Sequence, residues 1–92
     1  MDPAPRPDPG TVTIEVRVEL KDGIADAEAE NIQKSLTLLG IPEVLHVSTA
    51  RLYVLQFSGS DSGRAEELAR RAVDRLLANP VIHRVSMTTL SR

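Results

Sequence analysis

From Thr11 to Leu20 apolar and polar residues alternate without a break. Val12, Ile14, Val16, Val18 and Leu20 share one side of an extended chain, and Thr13, Glu15, Arg17 and Glu19 share the other. A period of two in a β-branched run predicts a strand with one face on a core and one in solvent. Glu15 and Glu19 line up as a candidate carboxylate pair, but a solvated sheet face with cross-strand pairing is the better account of them.

After Lys21-Asp22-Gly23, which reads as a turn, the period changes. A helix is predicted from about Asp26 to Leu39, with Asp26 as its cap and Glu28 and Glu30 at the positive end of its dipole. Ala29, Ile32, Leu36 and Leu39 form its apolar stripe, and Glu30 and Lys34 stand four apart as an ion pair. Gly40 suits the left-handed exit position, which folds Ile41 back on Leu36, and Pro42 forbids continuation.

Glu43–Ala50 and Arg51–Ser58 read as two strands in close succession, joined by a turn that carries no glycine. In the first, Leu45 and Val47 oppose Val44, His46 and Ser48. In the second, Tyr53, Leu55 and Phe57 oppose Leu52 and Val54. Apolar residues on both sides indicate a strand covered on both sides. One helical layer covers only one side of a sheet this small, so the second cover is expected to be another copy. Arg51, Leu52, Tyr53, Val54, Leu55 and Phe57 are the candidate interface.

Gly59–Gly63 is a linker with Asp61 or Ser62 as a cap, and it lacks the further glycines or Lys-Ser/Thr of a phosphate-binding loop. A second helix is predicted over Arg64–Ala78. Its stripe is Ala65, Leu68, Ala69, Ala72, Val73 and Leu76, and its outer face carries the pairs Glu66–Arg70 and Glu67–Arg71. Leu77-Ala78-Asn79-Pro80-Val81-Ile82 then forms a corner. Proline lacks the amide hydrogen a helix needs and pushes the preceding residue into extended backbone. The helix should end near Ala78, and the last strand should run from Val81 to Leu90 with Val81, His83, Val85 and Met87 on one face.

The order β-α-β-β-α-β predicts an α+β fold, a ferredoxin-like two-layer sandwich. Its antiparallel four-stranded sheet carries both helices on one face and oligomerises through the other. Right-handed crossovers place the first and third strands centrally and the second and fourth at the edges.

Ninety-two residues make one domain, expected over 11–92. Before it, residues 1–10 carry prolines at 3, 5, 7 and 9 and read as a disordered, extended tail. With one Phe, one Tyr and no Trp, the core must be aliphatic and stacking platforms are few. A net charge of −2 lacks the positive field that a nucleic-acid partner requires. The absence of cysteine removes disulfides, thiolate nucleophiles and cysteine-ligated zinc. Neither a signal peptide nor a membrane span is read, so the expected location is the cytoplasm. His46 and His83 fall on opposite sheet edges, too far apart for one metal within a monomer. No catalytic, cofactor or metal site is therefore assigned.

Several stretches together resemble a known family. Leu76-Leu77-Ala78-Asn79-Pro80-Val81-Ile82 is similar to the signature of PurS, the small subunit of phosphoribosylformylglycinamidine (FGAM) synthase. Val16-Arg17-Val18-Glu19-Leu20-Lys21 resembles that family's first strand, and Ile32-Gln33-Lys34-Ser35-Leu36 with Leu39-Gly40 its first helix and exit. Glu43-Val44 and Arg51-Leu52-Tyr53 resemble its central strands. The chain departs from the family at Ala25-Asp26-Ala27-Glu28, at Ala50-Arg51 and at His83-Arg84. The family commonly has an Asp-Pro-x-Gly entry, a Gly-Lys pair and an acidic residue at those places. The resemblance implies a non-catalytic subunit that self-associates, as dimer or tetramer, and helps assemble a glutaminase subunit and an ATP-dependent synthetase subunit. It also implies that ATP, magnesium and glutamine are used by those partners, with no cofactor bound here. The competing readings are a stand-alone ferredoxin-like module binding a small ligand at a dimer interface, and a small enzyme whose site forms only between subunits.

Overall fold

The computed structural model describes residues 10–59 and 61–90. The proline-rich stretch up to Pro9 and the terminal Ser91-Arg92 lie outside them. The elements are β1 (Thr11–Leu20), α1 (Ala27–Leu38), β2 (Ala50–Ser58), α2 (Ser62–Ala72), a π-helical turn over Val73–Leu77, and β3 (His83–Leu90). The sheet order is β2-β1-β3. Both pairings are antiparallel, from Thr11↔Ser58 to Glu19↔Ala50 on one side of β1 and from Thr13↔Leu90 to Leu20↔His83 on the other.

The alternation read along β1 decides where the core lies. Val12, Ile14, Val16 and Val18 are buried, and across from them Ala65, Ala69 and Val73 of the second helix close the other wall. Small residues at 65 and 69 let the helix backbone approach the sheet, while the branched side chains of β1 fill the gap. Tyr53, Leu55 and Phe57 of β2, with Val85 and Met87 of β3, extend this cluster as half-buried neighbours. The outward set on β2 is therefore Leu52 and Val54, which stand opposite Arg17 and Glu15.

Three features differ from the sequence expectation. The sheet has three strands among the described residues, because residues 44–49 form no ladder and run without a turn into β2. A tight hairpin there would need positive φ at its centre. Thr49, Ala50 and Arg51 do not supply it; positive φ is confined to Gly10, Gly23, Gly40 and Gly59 among the described residues. The chain runs straight on here rather than folding back, so β2 is an edge strand rather than a central one.

The second difference follows from the first. Since residues 44–49 do not join the sheet, α1 is carried off it, and only α2 covers the sheet face. α1 packs instead along the extended segment: Gln33 Nε2 donates to the Leu45 carbonyl at 2.9 Å, and the Thr49 hydroxyl donates to Asp26 Oδ2 at 2.7 Å. Of the residues in α1, only Ala29 is buried. α1 and residues 44–49 together make an arm. Its exit is as read: Gly40 has φ 88°, and the Ile41 N–H donates to the Leu36 carbonyl at 2.8 Å.

The third difference lies at the end of α2. The Ala78 N–H donates to the Val73 carbonyl, an i→i+5 bond that widens the last turn. The extra residue rotates the register, so Leu77 rather than Leu76 packs on the core, and Leu76 is 82% exposed. On the outer face neither predicted i,i+4 pair forms. Arg64 pairs with Glu67 at 3.0 Å, and Glu66 accepts the Thr89 hydroxyl at 2.7 Å.

Candidate functional site

The predicted corner is a β-turn, and β3 starts at His83 rather than Val81. Asparagine first and proline second is the residue order such a turn favours, because the Asn side chain bonds back to the chain and Pro pre-sets φ. Asn79 Oδ1 accepts the Val81 N–H at 2.9 Å, while the Asn79 carbonyl accepts the N–H groups of Ile82 at 3.1 Å and His83 at 2.8 Å. His83 Nδ1 in turn accepts the Asn79 N–H at 2.9 Å. Lys21 N–H then donates to the Ile82 carbonyl at 2.8 Å, which ties the corner to the end of β1. Leu77, Ala78, Asn79, Pro80, Val81 and Ile82 thus set where β3 enters the sheet. The sequence showed this stretch as a proline-enforced helix stop before a strand, and the hydrogen bonds of Asn79 and His83 were not read from it.

The helix-free face of the sheet is mostly polar. Glu19 lies 2.9 Å from Arg84 and 3.6 Å from Arg17, and Arg84 is 3.9 Å from Asp22. The Arg84 hydrogen bond, working against desolvation and joined by the charges of Arg84 and Arg17, holds the Glu19 carboxyl below its ordinary range. Its influence runs both ways, and Arg84 is held above the usual guanidinium value. Glu19 is thus committed to Arg84 and Arg17, and this end of the face is a solvated ion-pair ladder.

The candidate interface residues divide between two faces. Tyr53, Leu55 and Phe57 lean on the core, whereas Leu52 and Val54 face outward and Arg51 is exposed. Larger apolar exposure lies on the arm. Leu38, Leu39 and Leu45 are 87%, 74% and 87% exposed, and Ile32 and Ile41 are also open to solvent. His46 sits exposed on the arm and His83 half-buried at the corner. Among the described residues no group of three or more His, Asp or Glu is placed to hold a metal. No helix among them is long and apolar enough to cross a membrane.

Asp26 anchors the arm. Its Oδ1 accepts the Ala29 N–H at 2.9 Å, and that bond, with the Thr49 hydroxyl, holds its carboxyl below the ordinary value against some desolvation. A depressed folded-state value means that the stabilisation is full above the unfolded carboxyl's range near about 4 and fades as pH falls through the folded value. Asp26→Ala should therefore lower the melting temperature at pH 7. Its deficit relative to the parent chain should shrink steadily below about pH 4. A deficit independent of pH would assign the effect to packing instead.

The chain is an α+β domain in which Glu19 is ion-paired, Asp26 and Asp61 cap the helices, and exposed leucines gather on the arm. The family model for PurS, described as phosphoribosylformylglycinamidine (FGAM) synthase, matches residues 13–91. A PurS subunit from Archaeoglobus fulgidus is 38% identical over 73 residues, spanning 79% of this chain and 91% of its own. One from Methanocaldococcus jannaschii is 34% identical over 68 residues, spanning 74% and 82%. The crystal structure of M. jannaschii PurS superposes with a TM-score of 0.78 at 27% identity, covering 88% of this chain and 98% of that one. A chain of the PurLQS structure from Thermotoga maritima shares the fold, with a TM-score of 0.79 at 20% identity over 87% and 98%. The chain belongs to the PurS family. PurS is a subunit of FGAM synthase in purine biosynthesis.

Proposed function

We propose that this chain is the non-catalytic assembly subunit of an FGAM synthase, bringing a glutaminase subunit and an ATP-dependent synthetase subunit together. Glutamine, ATP and magnesium are used by those partners, and none is bound here as a cofactor. The family match over residues 13–91 carries this reading. The structure supports it with surface rather than chemistry: an arm lined by Ile32, Leu38, Leu39, Ile41 and Leu45, beside the open edge of β2. Exposed apolar side chains in such a cluster favour burial against protein.

Self-association belongs to the same proposal. The helix-free face carries the Arg17, Glu19 and Arg84 charges, so an apolar copy-to-copy contact there is limited to Leu52 and Val54. The arm and the β2 edge offer more. A second copy laid along them would cover the exposed leucines and pair unsatisfied strand backbone in one step.

Mixing the chain with the glutaminase and synthetase subunits of the same organism tests the proposal. Glutamine-dependent FGAM formation should require all three, while ammonia-dependent formation by the synthetase should proceed without this chain. Full glutamine-dependent activity from the two other subunits alone would remove the assembly role.

A further inference from the structure

An open cavity of about 910 Å³ lies between the second helix and β3, away from the arm. Its volume is that of a site for a small organic ligand. Its floor is apolar, built from Val73, Ala78, Val85 and Met87. The π-helical turn over Val73–Leu77 forms one wall and the Asn79-Pro80 corner closes one end. Such widened turns recur at functional positions because they re-aim side chains that a regular helix would point elsewhere.

The polar groups around this floor are of both signs, and most are uncommitted. Arg70 was expected to pair with Glu66, but Glu66 is taken by the Thr89 hydroxyl at 2.7 Å. Among the described residues the side chains of Arg70, Lys21 and Asp74 have no ion-pair or hydrogen-bond partner. His83 uses Nδ1 to accept the Asn79 N–H, so in its neutral form Nε2 carries the proton and is a donor. Two cations and one donor thus stand with two carboxylates around a greasy floor, and their formal charges cancel. A polyanion such as a nucleoside triphosphate would meet Glu66 and Asp74 without a net positive field. A purely apolar ligand would use the floor but none of the exposed charges at its rim, of which Lys21, Arg70 and Asp74 are uncommitted.

We propose that this cavity binds a free α-amino acid. The carboxylate is met by Arg70 and Lys21, the ammonium by Asp74, and the side chain rests on Val85 and Met87. A zwitterion is the small-ligand class that satisfies both signs at once. The site lies within one chain and is separate from the assembly surfaces proposed above.

Titration of the ¹⁵N-labelled full chain with free glutamine, glutamate or alanine, and separately with inorganic phosphate, tests this. Saturable amide shifts should appear at Lys21, Val85 and Met87 with an amino acid, with a Kd near about 1 mM. Arg70→Gln and Asp74→Asn, both at exposed helix positions, should each raise that Kd about tenfold or more while leaving the rest of the spectrum in place. Absence of saturable shifts up to about 20 mM would overturn the proposal, that range lying well above the expected Kd. Equal binding of phosphate, or undiminished binding by Asp74→Asn, would do the same by showing an anion site. Each of those results leaves the three-subunit reconstitution unaffected, so the two readings fail separately.

Discussion

Ile14→Ala should cost this chain about 2–5 kcal/mol, the range for truncating a buried branched side chain in a core that cannot collapse around the gap. Ile14 is fully buried at the centre of β1, with Leu55 and Thr89 beside it on the flanking strands and the second helix overhead. Because β1 is the central strand of the described sheet, paired on both sides, a cavity at Ile14 loosens both ladders together. The whole margin of a small domain is about 5–15 kcal/mol, so the loss is a large part of it. For a chain of this size a melting-point fall of more than roughly 10 °C follows. Leu76→Ala is the contrasting measurement. A regular helix would put Leu76 in the core, at a similar cost; the π-helical turn leaves it exposed, and the expected change is within about 0.5 kcal/mol. Urea titration of both variants decides the point, and comparable losses would mean that the helix does not widen after Val73.

What the sequence made legible was whatever depends on neighbours a few residues apart. The β1 alternation located the core because a period of two leaves no other side for Val12 to Val18. Asp26 and Asp61 were readable as caps, since capping is a matter of one carboxylate and an N–H three residues on; each accepts that bond, at 2.9 and 3.0 Å. Gly40 was readable for the same reason. The failures sit where distant segments must agree. EVLHVSTA has strand composition, but a strand needs a partner, and without a reversal at Ala50 none is within reach in this chain. The position of α1 depended on that pairing and was lost with it. The π-helical turn was hidden because one inserted residue changes the helix face without changing composition. At the functional surfaces, Leu52 and Val54 could be grouped but not aimed until the register with Arg17 and Glu15 was known. On the arm, Leu39 was placed in the first helix's apolar stripe and Leu45 on a strand face, because their spacing is that of elements packed on a sheet; both are exposed.

Those leucines give the second large effect. On the self-association proposed above, Leu39→Glu combined with Leu45→Glu should shift the chain to monomer in sedimentation velocity, at concentrations where the parent chain is associated. Both positions are largely exposed in the single chain, so the substitutions should leave its melting temperature little changed. In the associated state each leucine would be buried. Burying a leucine contributes about 1.5–3 kcal/mol, and an unpaired carboxylate in its place adds a desolvation penalty. Two such sites correspond to a rise in dissociation constant of roughly a hundredfold to ten-thousandfold before that penalty is counted. Glutamine-dependent FGAM formation by the three-subunit mixture should fall in step. Leu52→Glu with Val54→Glu tests the outer face of β2 in the same way. Ser86→Glu, on the polar helix-free face, should leave association as it was. If both double variants sediment as the parent does, the exposed apolar surface of this chain is not what joins its copies. The order of the two effects identifies the dominant contact: an arm that dissociates first carries the copy-to-copy interface, with β2 widening it along its open edge.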